Sequence, residues 1–194
     1  KNTLLDTNNL KTTIVNDLNY VSNDFISNLG FKNNFNFYLK NLNSVGKNDA
    51  IYTSNAQLDG MSIIKFDTSL PLIKSKDLMK ETLTPKISFR LNPGNNMNDY
   101  RDSSSIITAD NVFDINRLEI SNDFEAGKSI TFGLDYKIDP IEKNQSENIK
   151  DRYLELKLAT VIRDQNEKDI PKSSTINRKN SNLFGSINNN LLEN

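Results

Sequence analysis

Residues 83–138 read LTPKISFRLNPGNNMNDYRDSSSIITADNVFDINRLEISNDFEAGKSITFGLDYKI, and the end of this stretch decides the fold class. From Gly127 to Ile138 the side chains alternate. The apolar members share one parity: Ile130, Phe132, Leu134, Tyr136 and Ile138. Ser, Thr, Gly, Asp and Lys occupy the other parity. A period of two over this length predicts an extended strand with one apolar face. That face must meet either a protein core or lipid.

The same alternation recurs outward from this stretch and predicts about eight strands. They cover residues 10–20, 25–42, 50–70, 83–91, 117–124, 127–138, 154–163 and 183–192. The connections are expected at 43–49, 73–82 (irregular), 93–112, 125–127 (a tight hairpin turn), 139–151 and 164–181. Because no helical pattern separates the strands, the sequence predicts an antiparallel meander.

Composition excludes several function classes. The net charge of −1 gives no bulk attraction to nucleic acid. The absence of cysteine excludes disulfides and thiolate metal sites, and the absence of histidine excludes Ser-His and Cys-His catalysis. No catalytic constellation stands out, so neither an enzyme activity nor a cofactor is expected.

Three features favour a membrane barrel over a soluble β-sandwich. The predicted strands are longer than the roughly 5–6 residues usual in soluble sheets. Their polar faces carry charges in mid-strand. Tyr52 and Tyr136 have the parity of the apolar face and lie near strand ends, as an interfacial aromatic girdle requires. We therefore expect an all-β antiparallel meander of long strands that is part of a transmembrane outer-membrane β-barrel. A soluble sandwich or elongated sheet, with ordinary strand tyrosines, is the alternative.

Connection lengths fit a barrel only in part. Outer-membrane barrels alternate short periplasmic turns with long outer loops. The predicted turns at 22–24 and 125–127 are short, and the longer connections at 43, 93 and 139 fall on the opposite side. The segments 71–82 and 164–181 should be short by this count but are long. Either a strand is misassigned or these segments fold into the lumen.

Short motifs between residues 83 and 136 resemble the LptD family, the lipopolysaccharide-assembly proteins of the bacterial outer membrane, also called organic solvent tolerance proteins. The motifs are Leu-Thr-Pro-Lys at 83–86, Asn-Pro-Gly at 92–94, Asp-Asn-Val-Phe at 110–113, Asn-Arg at 116–117, Glu-Ala-Gly at 125–127, and then Gly133 and Tyr136. The asparagine-rich composition is similar to that of marine alphaproteobacterial members. The chain departs from the family pattern at Ile120, Asn122 and Asp123, and it lacks the family's common cysteines.

The resemblance implies transport rather than catalysis. Family members form a large barrel around a plug lipoprotein (LptE in many bacteria), receive lipopolysaccharide from a periplasmic Lpt bridge, and release it into the outer leaflet through a lateral gate. The expected partners are therefore lipopolysaccharide, the outer-membrane bilayer, the plug lipoprotein and the bridge. Residues 1–194 are expected to be an internal fragment of one barrel domain, without the gate strands or the periplasmic jellyroll. A porin or receptor barrel, and a soluble or cell-surface β-sheet binding module, are the alternatives.

The candidate residues have structural roles. The family motifs supply Pro85, Pro93, Gly94, Asp110, Asn111, Phe113, Asn116, Arg117, Glu125, Gly127 and Gly133, and the interfacial aromatics are Tyr52 and Tyr136. Arg117 and Glu125 are expected to pair across the hairpin in the lumen. Cations that could meet lipopolysaccharide phosphates, with ordinary surface charge as the default, are Arg101, Lys128, Lys137 and Arg163. A calcium site is not favoured, because no ordered twelve-residue loop contains the acidic residues Asp110, Asp114, Asp123 and Glu125.

Overall fold

A computed structural model describes residues 10–48, 54–76, 79–94, 104–119, 124–141 and 153–190. Its strands are β1 Leu10–Val21, β2 Phe25–Ile26, β3 Lys32–Lys47, β4 Gln57–Ser69, β5 Leu72–Lys76, β6 Met79–Asn92, β7 Gly127–Pro140, β8 Leu154–Arg163 and β9 Phe184–Asn189. Within these ranges one helix occurs, a short 3-10 turn at Lys172–Ser174. The described part of the chain has no helix long and apolar enough to cross a membrane.

All nine strands belong to one antiparallel sheet. Its order is β1-β3-β4-β6-β7-β8-β9, with β2 paired to β3 and β5 paired to β6. The longest ladder joins β6 and β7, from Met79 opposite Pro140 to Asn92 opposite Gly127. The sheet is open, with β1 and β9 at its ends. The prediction of an all-β antiparallel sheet of long strands is thus confirmed.

Pro85 lies in the middle of β6, not near its start as the sequence suggested. The Leu70 N–H donates to the Pro85 carbonyl at 3.0 Å, just where β4 ends and β5 has yet to begin. In an antiparallel ladder a residue's N–H and C=O point to the same neighbour. The missing proline N–H therefore faces the gap between β4 and β5 and not the continuous ladder with β7, which is where a sheet tolerates proline.

The segment predicted as irregular (73–82) and most of the loop predicted at 43–49 belong to strands in the structure. Residues 73–76 of β5 pair with residues 79–82 of β6 in antiparallel fashion, and Lys74 stands opposite Glu81. This cross-strand charge pair favours the pairing without an apolar face. The predicted loop at 43–49 is also wrong up to Lys47, because β3 continues to that residue. The apolar residues Leu42 and Val45 lie on opposite sides of the strand there, so no apolar face alternates with a polar one.

The predicted strand at 117–124 is wrong in its described part. Arg117 and Leu118 lie in turns, and Glu119 has a φ of 54°. Gly127 starts β7 opposite Asn92 of β6, so residues 125–127 do not form a hairpin turn. Leu118 is buried in the core beneath this loop. Apolar and polar residues alternate around Leu118 because this side chain is buried within a folded loop. The alternation does not mark a strand.

Correcting these elements removes the conflict in length for 71–82 and 164–181, but it places the long connection 141–153 at the end of the sheet that carries the short turns. The connections 48–56, 93–126 and 164–183 all leave the same end of the sheet, and the connection from 141 to 153 leaves the other end, contrary to the prediction. Described parts of the two longest connections cover one face of the sheet. We name them the first inner segment (104–119) and the second inner segment (164–183). The face that they cover is the inner face, and the opposite one is the outer face.

The apolar core lies between the inner face and the inner segments. One cluster joins residues of β8 to both segments: Ile107, Val112, Leu118, Ala159, Val161, Ile170 and Ile176. A smaller cluster joins β4 to Phe124 and contains Met61 and Ile63. Ser173 Oγ donates to the Ser105 carbonyl at 3.1 Å and links the two segments directly.

We expect Ile176→Ala to loosen the second inner segment. Ile176 is fully buried, and removing its outer carbons should cost about 2–5 kcal/mol through the cavity left behind. Limited proteolysis of the full-length protein in detergent should then cut faster within residues 164–183. Ile187→Ala is the matched control, since Ile187 on β9 is 74% exposed on the outer face. Equal acceleration by both variants would contradict this position of the core.

Candidate functional site: the inner face and its ion cluster

The polarity of the two faces is inverted relative to a soluble protein. The inner face buries polar and charged strand residues: Lys40, Ser44, Lys65, Ser88, Arg90, Asn92, Ser129, Thr131 and Arg163. The outer face exposes large apolar residues: Ile14, Leu18, Tyr20, Leu39, Ile64, Phe89, Phe132, Leu134, Leu158 and Ile162. Soluble proteins rarely bury lysine or arginine without a partner, and they rarely expose an apolar patch of this extent.

Strand register arranges the outer residues in rows. Phe66, Phe89, Ile130 and Ile162 stand side by side across β4, β6, β7 and β8. On β7 the apolar residues continue from Ile130 to Ile138, which spans about 26 Å at roughly 3.3 Å per residue. Across β6, β7 and β8 the outer face therefore carries a continuous apolar band.

Glu125 is the centre of an ion cluster on the inner face. Arg117 Nε donates to its Oε2 at 2.8 Å, and Arg117 Nη2 donates to its Oε1. Arg163 Nη1 donates to the same Oε1 at 2.8 Å, while Arg163 Nη2 donates to the Ala126 carbonyl. Arg90 Nε lies 3.9 Å from Oε1. All three arginines and the glutamate are buried.

Further hydrogen bonds attach this cluster to the sheet. Arg117 Nη1 donates to Thr131 Oγ1 at 3.1 Å, and Arg117 Nη2 donates to Ser129 Oγ at 3.0 Å. Arg90 Nη1 donates to the Ile115 carbonyl at 2.6 Å. The cluster therefore joins β6, β7 and β8 to the connection between β6 and β7.

Positive charge exceeds negative charge in this cluster. Burial by itself raises the pKa of Glu125, but the charges of Arg117, Arg90 and Arg163 lower it more, so the pKa lies well below its usual range. A second carboxylate, Glu167, reaches only to 3.8 Å from Arg163 Nη2. Glu125 thus serves as the shared counter-ion of three guanidinium groups.

Phe113 fixes the first inner segment to β7 at Gly133. A Cβ built at Gly133 would lie 2.5 Å from Phe113 Cζ, closer than real Cβ contacts allow. Lys86 Nζ lies 4.7 Å from the centre of the Phe113 ring and 2.5 Å from Asp135 Oδ2. The ring therefore packs where the strand has no side chain, beneath a paired cation.

Asp110 and Asn111 stabilise the turn just before Phe113. Asn111 Oδ1 accepts the Thr108 N–H at 2.8 Å, and Asn111 Nδ2 donates to the Ile106 carbonyl at 3.2 Å. Lys157 Nζ donates to Asp110 Oδ1 at 2.7 Å. These contacts close the turn and tie it to β8.

The remaining family-motif residues lie at the same end of the sheet. The Gly94 N–H, next to Pro93, donates to Asn92 Oδ1 at 3.1 Å. Gly127 starts β7 with a φ of 89°, a conformation that favours glycine. The carbonyl of Asn116 accepts the Glu119 N–H at 3.0 Å.

The other predicted sites are scattered. Lys128 is exposed on the outer face, and Tyr136 belongs to the apolar band. Lys137 Nζ lies 3.4 Å from Asp139 Oδ2. Tyr52, Arg101 and Asp123 lie outside the described residues. Asp110 pairs with Lys157, and Glu125 pairs with the arginines. Burial raises the pKa of Asp114, whose charged neighbours are Lys65 and Glu119. Among the described residues, no group of three acidic side chains is placed to hold a metal ion.

The structure contains the predicted pair of Arg117 and Glu125, but as a contact within a loop and not across a hairpin. Sequence reasoning missed that Arg90 and Arg163 join them. Register offers a signal, since both arginines flank Ser129 in neighbouring strands. The predicted role of Arg163 at lipopolysaccharide phosphates stays a prediction. A charge swap between Arg117 and Glu125 is not expected to restore the cluster, because the new arginine would face two others.

We expect Glu125→Gln to destabilise the protein strongly, because three buried guanidinium groups lose their shared counter-ion. The expected cost is about 3–5 kcal/mol, as for other broken buried ion pairs. The thermal midpoint of the full-length protein in detergent would report it. Glu155→Gln is the matched control, since Glu155 is partly exposed and lies 3.3 Å from Lys157, so its loss should cost at most about 1 kcal/mol.

The Glu125 contribution should also depend on pH. Because the folded pKa is lowered, the contribution is complete above the ordinary value of 4.5 and declines as the pH falls towards the folded pKa. The stability difference between the wild type and Glu125→Gln should therefore be constant above about pH 6 and narrow towards about pH 3. A difference that widened on acidification would contradict the role of Glu125 as counter-ion.

Gly133→Ala should displace Phe113 and cost about 1–3 kcal/mol through overpacking. Gly60→Ala is the control, because its Cβ would meet nothing nearer than 4.0 Å. Adding Phe113→Leu should recover part of the loss, since the shorter side chain frees space over residue 133. If the losses of the two variants simply added, the proposed contact would not limit substitution at this glycine.

Comparison with known proteins gives one match. The family model LptD, described as LPS transport system D, matches residues 37–194. A search of curated proteins and a search of solved structures found no match. The family match covers most of the chain, including strands β4 to β9 and all four members of the ion cluster. The chain therefore belongs to the LptD family, an outer-membrane protein family of lipopolysaccharide transport.

Proposed function

We propose that this chain forms part of the wall of an outer-membrane barrel through which lipopolysaccharide reaches the outer leaflet. The observation that carries this proposal is the inverted polarity of the sheet. The described segments leave an apolar face uncovered, while the opposite face buries charged side chains under segments of the same chain. Lipid is the environment in which such an outer face is favourable.

The dimensions of the apolar band support this assignment. The band on β7 runs from Ile130 to Ile138, and a tilted barrel strand needs about 9–11 residues to cross the hydrocarbon core. Lys128 bounds it at one end of β7, and Tyr136 lies near the other end among leucines of β6 and β8. A soluble sandwich would instead bury this face against a second sheet.

The inner segments also reduce the free space next to the proposed barrel wall. They fill part of the space over the inner face and are tied to it by the Glu125 cluster and by Phe113. In a closed barrel this face lines the lumen. We therefore assign to the family-motif residues the role of holding the segments in place, so that they narrow the path of the saccharide part of lipopolysaccharide.

The partners follow from the same assignment. The substrate is lipopolysaccharide, and the bilayer contacts the outer face. A plug lipoprotein of the LptE type and the periplasmic Lpt bridge complete the path in the assembled system. The proposed activity is transport, without a chemical reaction.

Two adjacent residues of β7 test the position of the bilayer. Leu134 belongs to the outer face, and Asp135 to the inner face. Residues 1–194 have no cysteine. Leu134→Cys and Asp135→Cys are each compared with the unmodified full-length protein, which reports the labelling of any cysteine elsewhere in it. In outer-membrane fractions a water-soluble maleimide should label Asp135→Cys faster, and detergent should abolish the protection of Leu134→Cys. Fast labelling of Leu134→Cys in intact membranes would refute a lipid-facing outer surface.

Depletion of the full-length protein in its host tests the substrate. Surface lipopolysaccharide should fall and the outer membrane should become permeable to large antibiotics. A porin or receptor barrel would give neither effect while still migrating as a heat-modifiable membrane protein.

A further inference from the structure

Two cavities lie side by side at one end of the sheet. The first, which we name the apolar groove, has a volume of about 490 Å³ and opens on the outer face. The second, the polar cleft, has a volume of about 460 Å³ and lies where β6 and β8 end and β7 begins. Leu91, Lys128 and Asp164 line both cavities, so the groove and the cleft are direct neighbours. Each volume falls within the range of roughly 300–1,000 Å³ that ligand sites in proteins occupy.

The apolar groove suits a hydrocarbon chain. Its floor is the row that crosses four strands and consists of Phe66, Phe89, Ile130 and Ile162. In the next row Ile64 stands opposite Leu91, and both residues also line the groove. On β7 this next row holds Lys128, opposite Leu91. A chain placed in the groove would therefore meet aromatic and aliphatic side chains, with a single ammonium group at its end.

The polar cleft carries hydrogen-bonding groups instead. Asp164, Gln165 and Glu167 line it from the connection that follows β8. Gln165 Nε2 donates to Glu167 Oε1 at 3.1 Å, and this oxygen lies 2.6 Å from where a Cβ of Gly127 would be. Ionised carboxylates only accept hydrogen bonds, so they bind hydroxyl groups and repel phosphates. The cleft therefore favours a head group that is rich in hydroxyls.

The position of the two cavities in the sheet bears on which leaflet their ligand comes from. The two longest connections, 93–126 and 164–183, leave the sheet at this end. In outer-membrane barrels the long connections lie on the extracellular side. By this rule the groove faces the outer leaflet, which is the leaflet that the proposed transport supplies. The cleft lies beyond the last apolar row of β7, where the surface becomes polar.

We propose that the apolar groove and the polar cleft together bind one molecule of the delivered glycolipid, lipopolysaccharide, on the outside of the barrel wall. One acyl chain would lie along the floor of the groove. A phosphate would accept from the Lys128 ammonium where the two cavities meet, and saccharide hydroxyls would donate to the carboxylates of Asp164 and Glu167. A lipid without a saccharide would leave the cleft unfilled. The proposal rests on the transport function proposed above, and it adds a binding site outside the lumen.

Native mass spectrometry of the detergent-purified full-length protein tests the site. The probes are a lipopolysaccharide with a truncated saccharide, and phosphatidic acid, which has acyl chains and a phosphate but no saccharide. We expect the protein to retain lipopolysaccharide in preference to phosphatidic acid. Lys128→Gln should weaken this retention by about tenfold, as expected for the loss of one charge-assisted hydrogen bond. Asp164→Ala should narrow the preference, because it removes an acceptor for hydroxyls and a carboxylate that repels the anionic lipid.

Matched variants separate this site from lipid held elsewhere. Ile130→Trp should fill the floor of the groove and reduce retention of lipopolysaccharide, whereas Leu134→Trp, on the same face of β7 but outside the groove, should not. Because Ile130 belongs to the outer face, lipopolysaccharide in the lumen should not respond to Ile130→Trp. Lys74→Gln, at an exposed lysine of β5 outside both cavities, is the control for Lys128→Gln. Equal retention of the two lipids, or equal effects of the variants and their controls, would overturn the proposal.

Failure of the site and failure of the transport function give different results. If the protein does not deliver lipopolysaccharide, its depletion leaves surface lipopolysaccharide unchanged. If only the site is wrong, depletion still lowers surface lipopolysaccharide, while Ile130→Trp and Lys128→Gln change retention no more than their controls do.

Discussion

The arrangement of the inner face depends on a counter-charge for three buried guanidinium groups. Arg90 and Arg163 are fixed by the ladders of β6 and β8, and they point to the same side as the connection that contains Arg117. Burying three such groups without an anion would cost more than the surrounding packing gains. Glu125 supplies that anion from the residues just before β7. The connection between β6 and β7 therefore follows a path that brings the Glu125 carboxylate to these arginines.

Both ion pairs and apolar packing hold the inner segments against the sheet. The charged contacts lie near the end of the sheet where the long connections leave. Phe113 over Gly133 and the cluster around Val161 lie further along the strands. The segments are thus fixed at several separate points along the inner face, which explains how irregular chain can lie over a polar surface with a defined conformation. Among the described residues, the same arrangement leaves the outer face uncovered.

Much of the fold could be predicted from sequence because one face of most strands is apolar. Residues 10–20, 127–138 and 154–163 were assigned within about two residues of β1, β7 and β8. Prediction failed where this contrast is lost, as at the asparagine-rich end of β3, or where a loop mimics it, as at Leu118. The pair of Arg117 and Glu125 was expected from their types and spacing. Its extension to Arg90 and Arg163 depends on strand register, which the alternation alone does not specify.

Pro85 has a consequence for the uniqueness of this register. A long ladder with a period of two can slide by two residues without exchanging its faces, so alternation alone permits several alignments. Sliding β6 against β4 would place the proline opposite a residue whose carbonyl needs a donor. It would also carry Gly133 away from Phe113 if β7 moved with it. The missing N–H in mid-strand thus disfavours shifted alignments of β6, in addition to the contacts of Arg90 and Arg163 with Glu125, which also require this register.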